Sequence, residues 1–208
     1  LEIANSIWMW LAAGLAVGAN AVLLWYVSDY SRDSTRGGSE LTGQAGEAAM
    51  SGLDIDYMTH WSYGKAETFN LFIPGFTGGS SFVGFSDDGP VAESLTKYNA
   101  RHIAPNLPGY WGPQPMTSGP VYIGAVVVFL FVLGMFILCG NKKWWVFVIT
   151  LLAIFLAWGS NLMWLTELFY HVPFYNKFRP VSTILVIAEW ALPLLAILAL
   201  QKIWSGQV

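Results

Sequence analysis

Four long apolar stretches divide this chain: Ile3 to Val27, Pro120 to Cys139, Trp144 to about Leu165, and Val181 to Ile203. Between the first two lies a polar-to-mixed run, Ser28 to Ser118. A water-soluble helix would show polar positions at a 3.6-residue period, and Val121 to Leu138 has none. About 20 helical residues cross the ~30 Å hydrocarbon core of a bilayer, and each apolar stretch is long enough. The pattern predicts an all-α integral membrane protein with four transmembrane helices, over residues 3–27, 120–139, 144–165 and 181–203. A large, partly helical extracytoplasmic loop fills 28–118, and a short outer loop fills 166–180.

The basic residues orient these spans. Lys142 and Lys143 occupy the tight connection between the second and third stretches, and Lys202 closes the fourth, so the positive-inside rule places those ends in the cytoplasm. The long loop then lies outside, on the extracytoplasmic face. It holds ten acids against five bases, a net of −5. Composition agrees with a membrane protein: 55% hydrophobic residues, 11% charged residues and a mean hydropathy of +0.50. Eight tryptophans (Trp8, Trp10, Trp25, Trp144, Trp145, Trp158, Trp164, Trp204) fall mostly near the ends of the stretches, as in an interfacial aromatic belt. The single cysteine, Cys139, excludes an internal disulfide.

The outer run is rich in aromatic side chains, from Tyr57 and Trp61 to Tyr110 and Trp111, which supply apolar area to pack. It is expected to fold down onto the membrane domain. Asp88-Gly89-Pro90 has the form of a helix start, with an N-cap acceptor and a proline in the first turn, and predicts a helix over Val91 to His102. Pro74 with Gly75, Gly78, Gly79 and Gly84 marks a turn-rich connection. The chain opens at Leu1 without a charged signal region, which predicts an internal segment of a longer multi-span protein. Nucleotide-binding and hydrolase motifs are absent, and the acidic balance, pI near 5.5, argues against nucleic acid.

An ordered series of short motifs resembles the YfhO family of bacterial membrane proteins. The series begins with Ser34-Thr35-Arg36-Gly37-Gly38-Ser39-Glu40-Leu41 and Leu53-Asp54-Ile55-Asp56-Tyr57. It continues with Trp61-Ser62-Tyr63-Gly64-Lys65-Ala66-Glu67-Thr68, Ile73-Pro74-Gly75-Phe76 and Tyr110-Trp111-Gly112-Pro113-Gln114-Pro115, and ends with Tyr175-Asn176-Lys177-Phe178-Arg179. The resemblance implies a glycosyltransferase of the GT-C class, acting in the cell envelope. Such enzymes take a sugar from a polyprenyl-phosphate donor and pass it to an extracytoplasmic acceptor. The resemblance also puts the catalytic base in an earlier outer loop, upstream of this segment. Implied partners are membrane lipid, the polyprenyl-phosphate sugar, the rest of the same polypeptide and other envelope proteins. The alternative is a non-catalytic membrane subunit, either a transporter or an assembly component whose outer loop docks a partner.

Transfer from a lipid phosphate needs a cation for the leaving phosphate, an acid near the acceptor hydroxyl and flat apolar surfaces for the sugar. Lys177 and Arg179 precede the fourth span at headgroup depth, and arginine offers forked donors suited to phosphate oxygens. Interfacial anchoring, or an ion pair with Glu167, is the plainer reading of both. Glu67 follows Trp61 and Tyr63 in an aromatic segment fit to line a sugar site, or else pairs with Arg36 or Lys65. Asp54 and Asp56 have the alternate spacing that, in an extended stretch, offers hard oxygens to Mg²⁺ or Mn²⁺, with His60 and Glu67 as companions. Asp56 is also a candidate to bind the sugar; loop solvation, capping or salt bridges are the plainer reading of the pair. Glu189 is a carboxylate within the fourth span, where it is costly unless neutralised or paired; it predicts proton handling or a structural pair inside the bundle. Pro193 is expected to kink that helix, and Asn20 and Asn161 to bridge helices.

Overall fold

The computed structural model describes residues 2–32, 53–173 and 175–206. Arg36, Asp33, Glu40, Glu47 and the Ser34–Leu41 motif lie outside the described residues. Among the described residues the fold is all-helical, with no β-strand and one isolated antiparallel bridge between Gly78 and Tyr110. The chain forms two compact units, residues 1–54 and 55–208.

The first unit contains α1 (Glu2–Ala19) and α2 (Ala21–Arg32), which meet at 57°. The break falls at Asn20, whose side-chain amide donates to Ala16 O at 2.8 Å. An asparagine that hydrogen-bonds local backbone competes with the helical ladder. The first apolar stretch is therefore a bent pair rather than one straight helix over 3–27. Asn20 serves its own helix and does not bridge two.

In the second unit, α5 (Ala125–Ile137), α6 (Lys142–Ala157) and α8 (Leu185–Trp204) pack together. Small residues allow the close approach of α8: Ala188, Ala191, Ala196 and Ala199 are buried, and Gly134 of α5 sits where a Cβ would stand 3.2 Å from that of Ala199. This is how apolar helices gain contact when side chains are short. Residues 181–204 are helical throughout and apolar enough to cross a membrane, an 18-residue window within them averaging a hydropathy of 2.3. The helix runs on through Pro193.

The second and third stretches depart from the expected single helices. α5 begins five residues after Pro120, because Gly124 takes φ +118° and the Ile123 and Gly124 amides donate to Leu71 O of the outer segment. α6 ends at Ala157, and α7 (Met163–Tyr170) leaves it at 114° after a 3₁₀ turn at Gly159–Leu162. Gly159 carries φ +46° and lies so close to Ser62 that a Cβ would stand 2.2 Å from Ser62 Oγ. By length and composition, one helix can span a membrane, or up to three spans form if each bent pair counts as one.

The polar-to-mixed segment, called the outer segment after its expected side, packs on the apolar helices. Tyr63 and Leu71 share a buried core with Phe131, Ala153, Leu185 and Leu195. The Tyr63 amide donates to Ala157 O (2.8 Å), satisfying a carbonyl at the end of α6, and Trp158 Nε1 donates to Thr68 Oγ1 (3.0 Å). Two lysines close the opposite end. Lys143 Nζ donates to Met135 O (2.6 Å) and Leu138 O (2.7 Å), and Lys202 Nζ donates to Ile137 O, so both meet the C-terminus of α5. Cations favour that negative pole of a helix.

The predicted 91–102 helix is shorter. It runs as α4 over Pro90–Thr96, followed by a 3₁₀ turn over Arg101–Asn106. Gly89 is the N-cap and no side chain caps it; Asp88 instead pairs with Arg101 at 2.8 Å.

Candidate functional site

Glu67 sits in a 3₁₀ turn, Ala66–Leu71, and is 1% exposed. A carboxylate so buried must be met by donors. The Gly64 amide donates to Oε2 at 2.6 Å, the Tyr110 hydroxyl to Oε1 at 2.5 Å, and Gln114 Nε2 approaches both oxygens at 3.3 and 3.2 Å. Tyr63 reaches the same residue from another side, donating its hydroxyl to Glu67 O at 2.8 Å. Burial raises the pKa of Tyr63 well above the ordinary tyrosine value, opposed by Asn70 and reinforced by Glu67. Tyr110 is raised as well, first by burial and then by its bond to Glu67. Both remain protonated donors.

The glycines around this node are dictated by space. A Cβ on Gly112 would fall 2.2 Å from Tyr110 Oη and 2.6 Å from Glu67 Oε1, and one on Gly64 would fall 2.6 Å from Pro113. The Trp-Ser-Tyr-Gly and Tyr-Trp-Gly-Pro-Gln motifs thus meet on one carboxylate. Both Glu67 oxygens have their donors here, so its first role is to join the two halves of the outer segment. Neither Tyr110 nor Gln114 stood out in sequence as a partner; the glycine beside an aromatic was the one visible sign.

Arg179 anchors a second centre. Its guanidinium carbon lies 3.8 Å from the centroid of the Tyr57 ring and 4.4 Å from that of Trp61, and Nη1 donates to Tyr57 Oη. Trp61 is held by its indole N–H to Met116 O at 3.0 Å. Stacking on two rings fixes the plane of the guanidinium. Among the described residues, Arg179 Nε is buried with no hydrogen-bond partner. The residue lines an apolar hollow of about 720 Å³ whose walls include Ile149, Leu152, Phe169, Phe178 and Ile187. Tyr175 shares that hollow with its hydroxyl buried; its pKa is raised by burial, with Thr166 acting in the opposite direction.

A third feature is a smaller hollow of about 470 Å³, lined by Tyr63, Glu67, Gln114, Thr117, Ser182 and Glu189 among others. Glu189 is exposed on α8 rather than turned into the bundle, and it faces this space. Thr183 and Val186 line both hollows, so the two adjoin across the start of α8.

The remaining candidates fall elsewhere. Lys177 is half-buried and lines neither of these hollows. Asp54 and Asp56 are exposed, and Asp56 lies in the first turn of a short helix, α3 (Ile55–Thr59), so the extended geometry required for aligned carboxylates is not formed. Among the described residues no three His, Cys, Asp or Glu side chains converge, so Asp54, Asp56, His60 and Glu67 form no metal-binding group there. His60 packs edge-on against Trp61 at 4.9 Å. Asn161 Nδ2 donates to Tyr63 O (3.0 Å), tying the outer segment to the bend after α6.

No protein family, curated protein or solved structure matches this chain.

Proposed function

We propose that this chain forms part of a membrane-embedded glycosyltransferase that moves a sugar from a polyprenyl-phosphate donor to an acceptor on the outer face of a bacterial inner membrane. The observation that carries this reading is the hollow at Arg179: an apolar space, fit for an isoprenoid tail, whose lining includes a guanidinium set against the Tyr57 and Trp61 rings, with one N–H that has no partner among the described residues. An anion with a long apolar tail is the complement of that arrangement, and a phosphate oxygen answers a buried N–H at low cost. The ordered motifs similar to YfhO proteins support the same reading.

In the proposed reaction the bond between the sugar's anomeric carbon and the phosphate oxygen breaks, and one to the acceptor oxygen forms. Arg179 stabilises the negative charge left on the phosphate. The acceptor proton passes to a base that the resemblance assigns to an earlier outer loop.

The test is binding of a short-chain polyprenyl phosphate to the protein in lipid nanodiscs, with the matching alcohol as control. The phosphate should bind well above the alcohol, and Arg179→Ala should weaken it on the order of tenfold or more, ~1.4 kcal/mol. Equal binding of phosphate and alcohol, or undiminished binding by the variant, removes the assignment.

A further inference from the structure

We propose that the smaller hollow seats the sugar of the lipid donor, with the Glu189 carboxylate accepting hydrogen bonds from its hydroxyl groups; this rests on the function proposed above. Three observations lead there. The first is position: Thr183 and Val186 wall both hollows, so a ligand whose phosphate meets Arg179 carries its next group across the start of α8. Glu189 stands on the order of 10 Å beyond Thr183 along the helix axis, on the side of the smaller hollow.

The second is hydrogen-bond polarity. Thr117 donates its hydroxyl proton to Gly119 O at 2.9 Å, and Thr183 donates its own to Pro180 O at 2.8 Å. With those protons engaged on backbone, each hydroxyl keeps a lone pair, although Thr117 Oγ1 also accepts from the Gly119 amide at 3.2 Å. Together with Glu189 they place acceptors in a hollow that is otherwise mostly apolar, which disfavours a phosphate and suits a ring with O–H donors and apolar faces. The two hollows thereby divide the donor lipid: cation and apolar walls for the phosphate and tail, acceptors for the sugar.

The third is Glu189 itself. It is exposed on a helix that is otherwise apolar to Leu200, where an unanswered carboxylate costs several kcal/mol in a bilayer. Glu67, by contrast, already has its donors and contributes the rigid back wall. Tyr63 and Gln114 complete that wall.

The experiment compares two probes in nanodiscs: a short-chain polyprenyl phosphate and the same lipid phosphate carrying a hexose. Wild type should bind the hexosyl lipid roughly tenfold more tightly than the bare phosphate. Glu189→Ala should abolish that preference while leaving bare-phosphate affinity unchanged, and that unchanged affinity also shows the variant to be folded. Should Glu189→Ala bind neither, the isosteric Glu189→Gln makes the same comparison and should lose most of the preference. If wild type gains nothing from the hexose, or if Glu189→Gln keeps the full preference, the sugar seat is wrong and the carboxylate is answered by another membrane segment. If wild type does not bind even the bare phosphate, the proposed function falls with it.

Discussion

At the scale of single residues, the Glu67 node turns a buried charge into a joint. Removing one donor strands a buried carboxylate oxygen, which costs more than the bond itself contributes. Tyr110→Phe should therefore destabilise the outer segment by roughly 1–3 kcal/mol, read as faster limited proteolysis and an earlier thermal transition. The pH dependence has a defined sign. Tyr63 and Tyr110 hold their protons in the fold to a higher pH than the ordinary 10.0 at which the unfolded chain releases them. Their contribution is complete below that value and is lost as pH climbs above it, since only the folded state then keeps the protons. Thermal scans should be insensitive to these groups up to about pH 10 and decline beyond it; Tyr110→Phe should shallow the decline, and an unchanged slope would discount the node. Glu67 and Arg179 were both visible in the sequence as charged residues among aromatics. Their partners were not, because Tyr110 and Gln114 lie more than 40 positions from Glu67, and Tyr57 lies 122 positions from Arg179. Contacts of that range leave no local pattern.

At the scale of elements, Gly124 and Gly159 decide where two of the apolar stretches stop being helix. Hydropathy counts side chains and is blind to a backbone at φ +46°, so the bend at Gly159 interrupts a run that reads as continuous. The same bend brings Ser62, Asn161 and Tyr63 together. Gly159→Ala meets Ser62 Oγ at 2.2 Å and Val181 Cγ2 at 2.7 Å, and in the left-handed region it should cost roughly 1–3 kcal/mol. The variant should melt earlier in detergent than Gly140→Ala, whose Cβ meets nothing within 4 Å at φ +92° and so carries backbone strain alone. Equal losses at the two sites would show that packing at the bend matters little. The short α4 follows the same logic: Asn99 takes φ 53°, and Asp88 pairs with Arg101 rather than capping the helix.

At the scale of the whole molecule, the proposed orientation makes a direct prediction. In a Cys139→Ala background, Ser86→Cys should react with an impermeant thiol reagent added outside intact cells, and Asn141→Cys should not; the reverse would invert the topology and put the hollows on the wrong face. Both positions are exposed, so access to the reagent depends on the side of the membrane alone. What the amino-acid order determined unaided is the helical class and at least one stretch apolar enough to cross a bilayer, because these follow from composition and period along a single segment. It also marked the lysines at one end, which the fold brings together on the last carbonyls of α5. Only the tertiary structure decided that Glu67 is a joint, that Arg179 lines an apolar hollow and that Glu189 borders an adjoining one. Each of those depends on where distant backbone turns place a neighbour, and burial and hydrogen-bond partnership are properties of the packed chain rather than of any stretch of it.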